Sequence, residues 1–398
     1  MPTVEIRRIE GDELLDTFFP LTTYAFAESP GTQTRADLEK HAPYHQDRYI
    51  VAVFEDGVAV ATANSIPMTQ NVRGKVFKMG GVASVTTMPQ ARRKGYARQM
   101  MQHLFATMFD FGQGVSSLYP FRESFYGRLG YIGFPHVRLM RFNPLNLTPL
   151  LQHELAGTVE LMHMREGFPI YWDFLQRLQP HQHGFSILSD QLMRRLGEQA
   201  NVWVAVATDT TGSVVGIMLY QITGFAKELR SSKFLYSNSL GKYLLLQWLG
   251  QHADQTRTIS LRLPPDHTLE TWAFDLNSEV YTIPISEGPP TPMGRVTIVE
   301  QLSGIHTGAG AFTAQIVDEY CPWNNGTYCF ETVEGQLVVT PAEIADCELS
   351  IQGLSALVFC GYDPADFVYR GWGNPDTDTQ AVMRSMFPPA WPYVSANF

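Results

Sequence analysis

The stretch MGGVASVTTMPQARRKGYARQMM, Met79 to Met101, constrains this chain more than any other. From Ala97 the apolar residues fall at Ala97, Met100, Met101, Leu104, Phe105, Met108 and Phe109. This unbroken i, i+3, i+4 series describes a helix with one buried face. Lys75 to Thr87, before it, reads as a strand, and Pro89, which has no N–H to give a ladder, prevents the strand from continuing. The fold must therefore pack a long amphipathic helix on a sheet, with a short basic loop between strand and helix.

That loop, Arg92-Arg93-Lys94-Gly95-Tyr96-Ala97, has the chemistry of an anion site. A helix start presents free N–H groups and the positive end of the dipole. Gly95 lets a ligand approach the backbone, Ala97 adds no bulk, and three consecutive cations complete a pyrophosphate cradle. As a bare string, R-x-x-G-x-A is weak, and a basic helix cap is the plain alternative. Its place between a strand and an amphipathic helix favours the anion site.

The first 145 residues mix strands and helices. Val4 to Ile9 is strand-like, and Gly11 to Phe19 and Thr34 to His41 read as helices. Tyr49 to Phe54 and Val58 to Ser65 flank Asp56-Gly57, a hairpin signal. Val115 to Tyr119 reads as a strand, Phe121 to Leu129 as a short helix, and Tyr131 to Phe134 and Val137 to Phe142 as closing strands. About 150 residues downstream the order hairpin, strand, helix recurs: Val202 to Thr208, Val214 to Gln221, Lys233 to Tyr236, Tyr243 to His252 and then a strand Ile259 to Leu263. There Gly241 stands where Gly95 stands in the first copy. A third block has strands at Phe312 to Val317, Gly326 to Thr332 and Gln336 to Pro341. Helices are expected at Pro341 to Cys347, Ser350 to Phe359, Pro364 to Gly371 and Asp378 to Phe387.

Charge divides the chain at the Pro/Gly-rich segment Ser286 to Pro292. Residues 286–398 hold thirteen Asp/Glu, three Arg and no Lys, so they carry the whole net charge of −10. Such a block attracts cations and repels polyanions, which argues against nucleic acid as a partner; from charge alone an acidic solubilising face is the plain alternative. The sequence MPTVEIRRIEGDELL lacks the apolar core of a signal peptide, and no window approaches 18 apolar residues, so neither secretion nor a membrane span is expected. Cys321, Cys329, Cys347 and Cys360 never form CxxC and read as buried thiols of a cytoplasmic protein. His41 and His45 have helical metal spacing but Pro43 between them and no third ligand, so no metal is expected; His181 and His183 read as solvated.

In its strand-to-helix context the RRKGYA loop resembles the acetyl-CoA motif Q/R-x-x-G-x-G/A of the GNAT N-acetyltransferases. FRESFYGRLGYIGF, Phe121 to Phe134, is similar to the FYxxxGY segment of the enhanced intracellular survival (Eis) branch. The resemblance implies a mixed α/β (α+β) architecture: a catalytic GNAT domain over 1–145, a degenerate second GNAT domain over 146–285, and a sterol-carrier-like domain over 286–398. Asn238 and Tyr243 replace the Arg and Ala of the motif in the second copy, which should not hold coenzyme A.

The same resemblance implies site residues. Val85, Thr86 and Thr87 would pair with the pantetheine arm, and the amides from Arg93 to Arg98 would take the pyrophosphate. Arg92, Lys94, Phe121 and Arg122 complete the cofactor set. Tyr126 would be the general acid, in place of an ordinary core aromatic. The last fourteen residues, SMFPPAWPYVSANF, carry no charged side chain and are stiffened by three prolines, so they read as a docked tail. The carboxylate of Phe398 would be the general base, with Glu123 a solvated alternative. The activity implied is direct, ternary-complex acetyl transfer to a cationic multi-amine acceptor such as an aminoglycoside, polyamine or lysine, by a homohexamer. The rival is a non-enzymatic binder of lipid or apolar ligands with a vestigial GNAT fold.

Overall fold

Two left-handed turns organise the first sheet. Asp56-Gly57 (φ 48° and 81°) and Arg73-Gly74 (φ 46° and 86°) both have the positive φ pair of a type I′ hairpin, whose twist matches that of the strands it joins. The computed structural model describes residues 2–27, 32–281 and 291–398; residues 286–290 of the expected boundary segment fall outside it.

In chain order the first block forms β1 (Val4–Ile9), α1 (Glu13–Asp16), α2 (Phe18–Phe26), α3 (Arg35–His41), β2 (Tyr49–Glu55), β3 (Val58–Val72), β4 (Lys75–Thr87), α4 (Tyr96–Asp110), β5 (Val115–Leu118), α5 (Glu123–Gly127) and β6 (Ile132–Gly133). β1 to β4 are antiparallel neighbours, and α4 is the crossover to β5, which lies parallel to β4. α4 buries Met100, Met101, Leu104, Phe105 and Met108 completely. Phe109, expected on that face, is 44% exposed and stacks on Trp323 at 4.7 Å instead.

Two compact units are present. One holds the chain up to Phe134, His183–Leu192 and Thr291–Phe398; the other holds Pro135–Gln182 and the residues from Met193. Arg138–Phe142, expected to close the first sheet, belongs to the second, where it pairs antiparallel with Thr258–Leu263. The corresponding place in the first sheet, between β5 and β6, is taken by Met293–Val296, a segment with no strand pattern in the sequence. The two sheets otherwise correspond strand for strand. In the second, Gly157–His163, Trp203–Asp209, Val214–Ile222 and Glu228–Tyr236 are antiparallel neighbours, and helix Ser239–Gly250 crosses to the parallel strand Thr258–Leu263.

The third block adds a four-stranded sheet among the described residues, with helix Ile351–Cys360 almost wholly buried. The helix expected at Pro341 to Cys347 is absent from the described structure. That segment ends in a strand, Cys347–Ser350, parallel to Ala311–Val317. Cys321, Cys347 and Cys360 are buried free thiols, and Cys329 is half-buried. No helix among the described residues is long and apolar enough to cross a membrane.

Candidate active site

β4 is paired on both sides only as far as Val82. Its ladder with β5 runs from Met79–Val115 to Val82–Leu118 and stops, while its ladder with β3 continues to Thr87. A bulge marks the fork: Asn64 faces Ala83 and Thr62 faces Thr86, so Ser84 and Val85 together oppose Ala63. Ser84 takes a φ of 55°. A bulge bends its strand and raises the local twist, which turns β4 away from β5. Among the described residues no strand pairs with Val85, Thr86 and Thr87 on the β5 side, so backbone groups there are open to an extended ligand.

Past Thr87 the chain makes a short 3-10 turn, Pro89–Ala91, and enters the basic loop. Arg93 (φ 65°) and Gly95 (φ 86°) are both left-handed, and Gly95 is the N-cap of α4 with no side chain capping the amides that follow. Left-handed residues at a helix start turn successive N–H groups to one side, forming an anion-binding concavity. Gly95 is required by its φ rather than by crowding, because an added Cβ would come no closer than 3.9 Å to Gln99. Four cations of the loop are exposed, but they are not equivalent. Lys94 Nζ lies 2.7 Å from Glu55, and the Tyr96 hydroxyl donates to the same carboxylate. Arg92 Nε donates to the Thr87 carbonyl at 3.2 Å. Arg93 and Arg98 make no ion pair among the described residues and remain free to meet phosphate. The hydrogen bonds from Lys94 and then Tyr96 hold Glu55 below the usual carboxylate range.

Tyr126 follows from α5, which places it beneath the exposed Phe121 and Arg122. The ring is 3% exposed and stands 5.0 Å from Phe125, 5.5 Å from Phe121 and 6.1 Å from Tyr131. It shares a core with Val82 and Leu118, the last paired residues before the fork. Its hydroxyl makes no hydrogen bond among the described residues. Burial, and secondarily Tyr131, pushes its pKa well above that of a free phenol, so it is protonated at every physiological pH. Glu123 is exposed.

The tail is docked. Residues 392–396 are buried. Ser395 Oγ donates to the Ser186 carbonyl at 2.6 Å, the Tyr393 amide donates to the His183 carbonyl at 3.1 Å, and the Tyr119 hydroxyl donates to the Ala396 carbonyl at 2.8 Å. Phe398 is half-buried, with its ring 5.4 Å from Tyr119 and over Gly81, where an added methyl group would meet it at 3.1 Å. Gly81 precedes the end of the β4–β5 ladder and Tyr119 follows it, so the chain terminus lies at the fork. His183, expected to be solvated, is half-buried, and its carbonyl forms part of the seat of the tail at Tyr393.

The second copy lacks this cradle. Asn238 caps its helix by accepting from the Gly241 amide at 2.9 Å, which occupies a donor that a phosphate would need. Gly241 is not the counterpart of Gly95. It lies inside the helix, where an added Cβ would stand 2.0 Å from the Val215 carbonyl, so close packing explains it.

The acetyltransferase (GNAT) domain family matches residues 5–133. Residues 5–133 are a GNAT acetyltransferase domain. The sterol carrier protein domain family matches residues 298–395. Among solved structures the chain is similar to a GCN5-related N-acetyltransferase from Anabaena variabilis, with 14% identity, TM-score 0.85 and full coverage of both chains. It is also similar to a probable N-acyltransferase from Enterococcus faecalis, with 18% identity, TM-score 0.83 and full coverage of both. Eis1 from Mycobacterium abscessus matches at 17% identity and TM-score 0.80, over 99% of this chain and 100% of the other. In fold the chain is therefore similar to these proteins, Eis1 among them, from end to end. No curated protein matches its sequence.

Several features of the site escaped sequence reasoning. Glu55, Tyr119 and His183 carry no motif, and their roles depend on ladders between distant segments. Asn64 did leave a signal, as a carboxamide inside the otherwise small and apolar run AVATANSIP.

Proposed function

We propose that this acetyltransferase uses acetyl-CoA and delivers the acetyl group directly to an amine of a cationic, multi-amine acceptor, of the aminoglycoside, polyamine or lysine kind. The observation that carries the reading is the β4–β5 fork opening beside the left-handed cradle at Arg93–Gly95. The fit with acetyl-CoA is chemical. Uncapped amides at the start of α4, with Arg93 and Arg98, suit a pyrophosphate, and the unpaired edge at Val85–Thr87 suits the amides of a pantetheine arm. Arg92, Lys94, Tyr96 and Ala97 shape the loop, and Phe121 and Arg122 complete the proposed cofactor set.

Bound there, acetyl-CoA supplies an activated thioester. The Phe398 carboxylate takes a proton from the acceptor ammonium, freeing the lone pair that forms the C–N bond. Tyr126 gives its proton to the sulfur as the C–S bond breaks, solvent carries the second proton lost from the nitrogen back to the tyrosinate, and the carboxylate releases the first proton to bulk water. No enzyme side chain is acetylated on this route. The acidic block 286–398 draws cationic acceptors towards the molecule. The same reading takes the three sequence blocks as domains and the working assembly as a cytoplasmic homohexamer.

Thiol release from acetyl-CoA, measured with and without a panel of amines, tests the activity; absence of acceptor-dependent release would overturn it. Gly95→Asp tests the cradle. The added carboxylate repels phosphate at the helix N-terminus, so calorimetry should show acetyl-CoA affinity reduced by about tenfold. Gly95→Asn, which tolerates the same φ without charge, should lose far less. Equal, undiminished affinity in both would move the cofactor away from this loop.

A further inference from the structure

The strands beneath α2 carry polar side chains with nothing to bind. Asn64 is 0% exposed, and neither its Nδ2 nor its Oδ1 has a hydrogen-bond partner; Thr86, 3% exposed, has an unpartnered Oγ1. Both lie on one face of the sheet. Thr62 pairs with Thr86 and Asn64 with Ala83, and the bulge between them is absorbed on the other face, where Val85 packs with the α4 cluster. Asn64 and Thr86 are thus diagonal neighbours across the ladder. On this same face Ile66 comes next along β3, opposite Gly81, over which the Phe398 ring lies. Asn64 therefore comes next along this face from the Phe398 ring, and Thr86 lies on the open edge of β4 itself. α2 packs across β3 and β4 and covers it.

A buried carboxamide with both ends unsatisfied destabilises the fold, and a native chain rarely keeps one without a partner to receive. We propose that Asn64, together with Thr86, is a specificity-determining contact for the acceptor, and that it selects an amine bearing a hydroxyl on the neighbouring carbon. The inference rests on the acetyltransferase reading above. Asn64 Oδ1 needs a donor, which the amine N–H provides. Asn64 Nδ2 needs an acceptor, and the amine cannot be one, since its lone pair must point at the thioester carbonyl. A second oxygen close to the nitrogen is required, and a vicinal hydroxyl supplies it. The Thr86 hydroxyl, donor or acceptor by rotation, completes the set. Neither side chain carries charge, so this floor holds the deprotonated amine and leaves charge recognition to other surfaces. Because the pair is covered, acceptor entry must shift α2 away from it.

Asn64→Leu keeps roughly the same volume and removes both polar ends. Steady-state kinetics with a multi-amine amino alcohol and with a linear polyamine of equal charge, combined with thermal melting, tests the inference. The wild type should favour the amino alcohol in kcat/KM. Asn64→Leu should lower kcat/KM for the amino alcohol by about 10- to 100-fold, mainly through KM, and abolish the preference. Acetyl-CoA affinity should be unchanged and the melting temperature raised by a few degrees, because an unmet polar group has gone from the interior. A wild type that prefers neither acceptor, or a variant with the same preference as wild type, would overturn the inference alone. So would a variant that melts markedly lower, since the carboxamide would then be serving the fold. A wild type that acetylates no amine would overturn the functional reading beneath it.

Discussion

At the scale of single residues, a phenol held neutral by burial is a dependable proton store and a reluctant donor. Burial raises the pKa of Tyr126 above its ordinary value, so proton transfer to sulfur is favourable only as negative charge builds on the leaving group. Its contribution should therefore sit at the low end for general acids. Tyr126→Phe keeps the ring contacts to Phe121, Phe125 and Tyr131 and loses only the hydroxyl, which has no partner to leave unsatisfied. We expect turnover to fall by about 10²-fold, with melting temperature and acetyl-CoA affinity unchanged. Native turnover in the variant would make Tyr126 a core aromatic and nothing more. The residue types of this site were legible in the sequence. Their division of labour was not: Lys94 belongs to a triple-residue run but is tied to Glu55, while Arg93 and Arg98 are left free.

At the scale of elements, the tail behaves as a strap, and in the proposed mechanism the carboxylate of Phe398 is its working part. It is fixed by ladder-like hydrogen bonds to Ser186 and His183 and by the Tyr119 hydroxyl, all short of Phe398. Appending a few residues after Phe398 keeps every side chain and exchanges a carboxylate at the fork for a neutral peptide group. Activity should be nearly abolished while melting temperature and acetyl-CoA affinity persist, and an N-terminal extension of equal length should have no effect. Full activity in the C-terminally extended enzyme would exclude the carboxylate as base and turn attention to Glu123. Docking of the tail could be read from its composition, because fourteen uncharged residues with three prolines gain little from solvent. Where it docks could not, because its seat is assembled from segments some 200 and 280 residues away in the chain. The misread helix at Pro341 to Cys347 has a related cause: Cys347 and Leu349 alternate buried with exposed Glu348, and the strand forms only because Ala311–Val317 offers an edge.

At the scale of the whole molecule, His183 and Arg73 tie together three distant stretches of chain. The Arg73 amide donates to His183 Nδ1 at 3.0 Å, and His183 Nε2 lies 2.6 Å from the Phe359 carbonyl. Arg73 also reaches the carbonyls of Val358 (2.7 Å) and Pro388 (2.9 Å), so its cation meets the C-terminal end of helix Ile351–Cys360. These bonds require neutral His183, protonated on Nε2 alone. Burial first, and the nearby Arg73 charge, push its pKa down to about 4. Below the ordinary histidine value of about 6.5 the unfolded chain takes up a proton that the folded chain refuses. The stabilisation is therefore complete above about pH 6.5 and is lost as pH falls towards 4, by an amount on the order of 3 kcal/mol. Melting temperature should fall over this window in the wild type, and His183→Gln should flatten that part of the profile. Parallel profiles would remove His183 as the cause.

What the sequence determined by itself is whatever depends on neighbours along the chain. The periodicity of α4, the Asp-Gly and Arg-Gly hairpins, the basic loop before a helix and the recurrence of this order downstream are local, and each formed where its residues required. The tertiary structure alone decided how edges were shared. A four-residue strand such as Met293–Val296 has too few residues for a pattern and pairs wherever an edge is open, and it entered the first sheet in the place that Arg138–Phe142 takes in the second. Arg295 in that strand shows the result. It is fully buried, bonded to Asp318 at 2.5 Å and to the Leu129 carbonyl, with its guanidinium 4.4 Å from the Phe105 ring. In the sequence it was one of three cations in an acidic block; in the fold it is a buried tie between two blocks, because strand pairing is a long-range choice that local composition does not record.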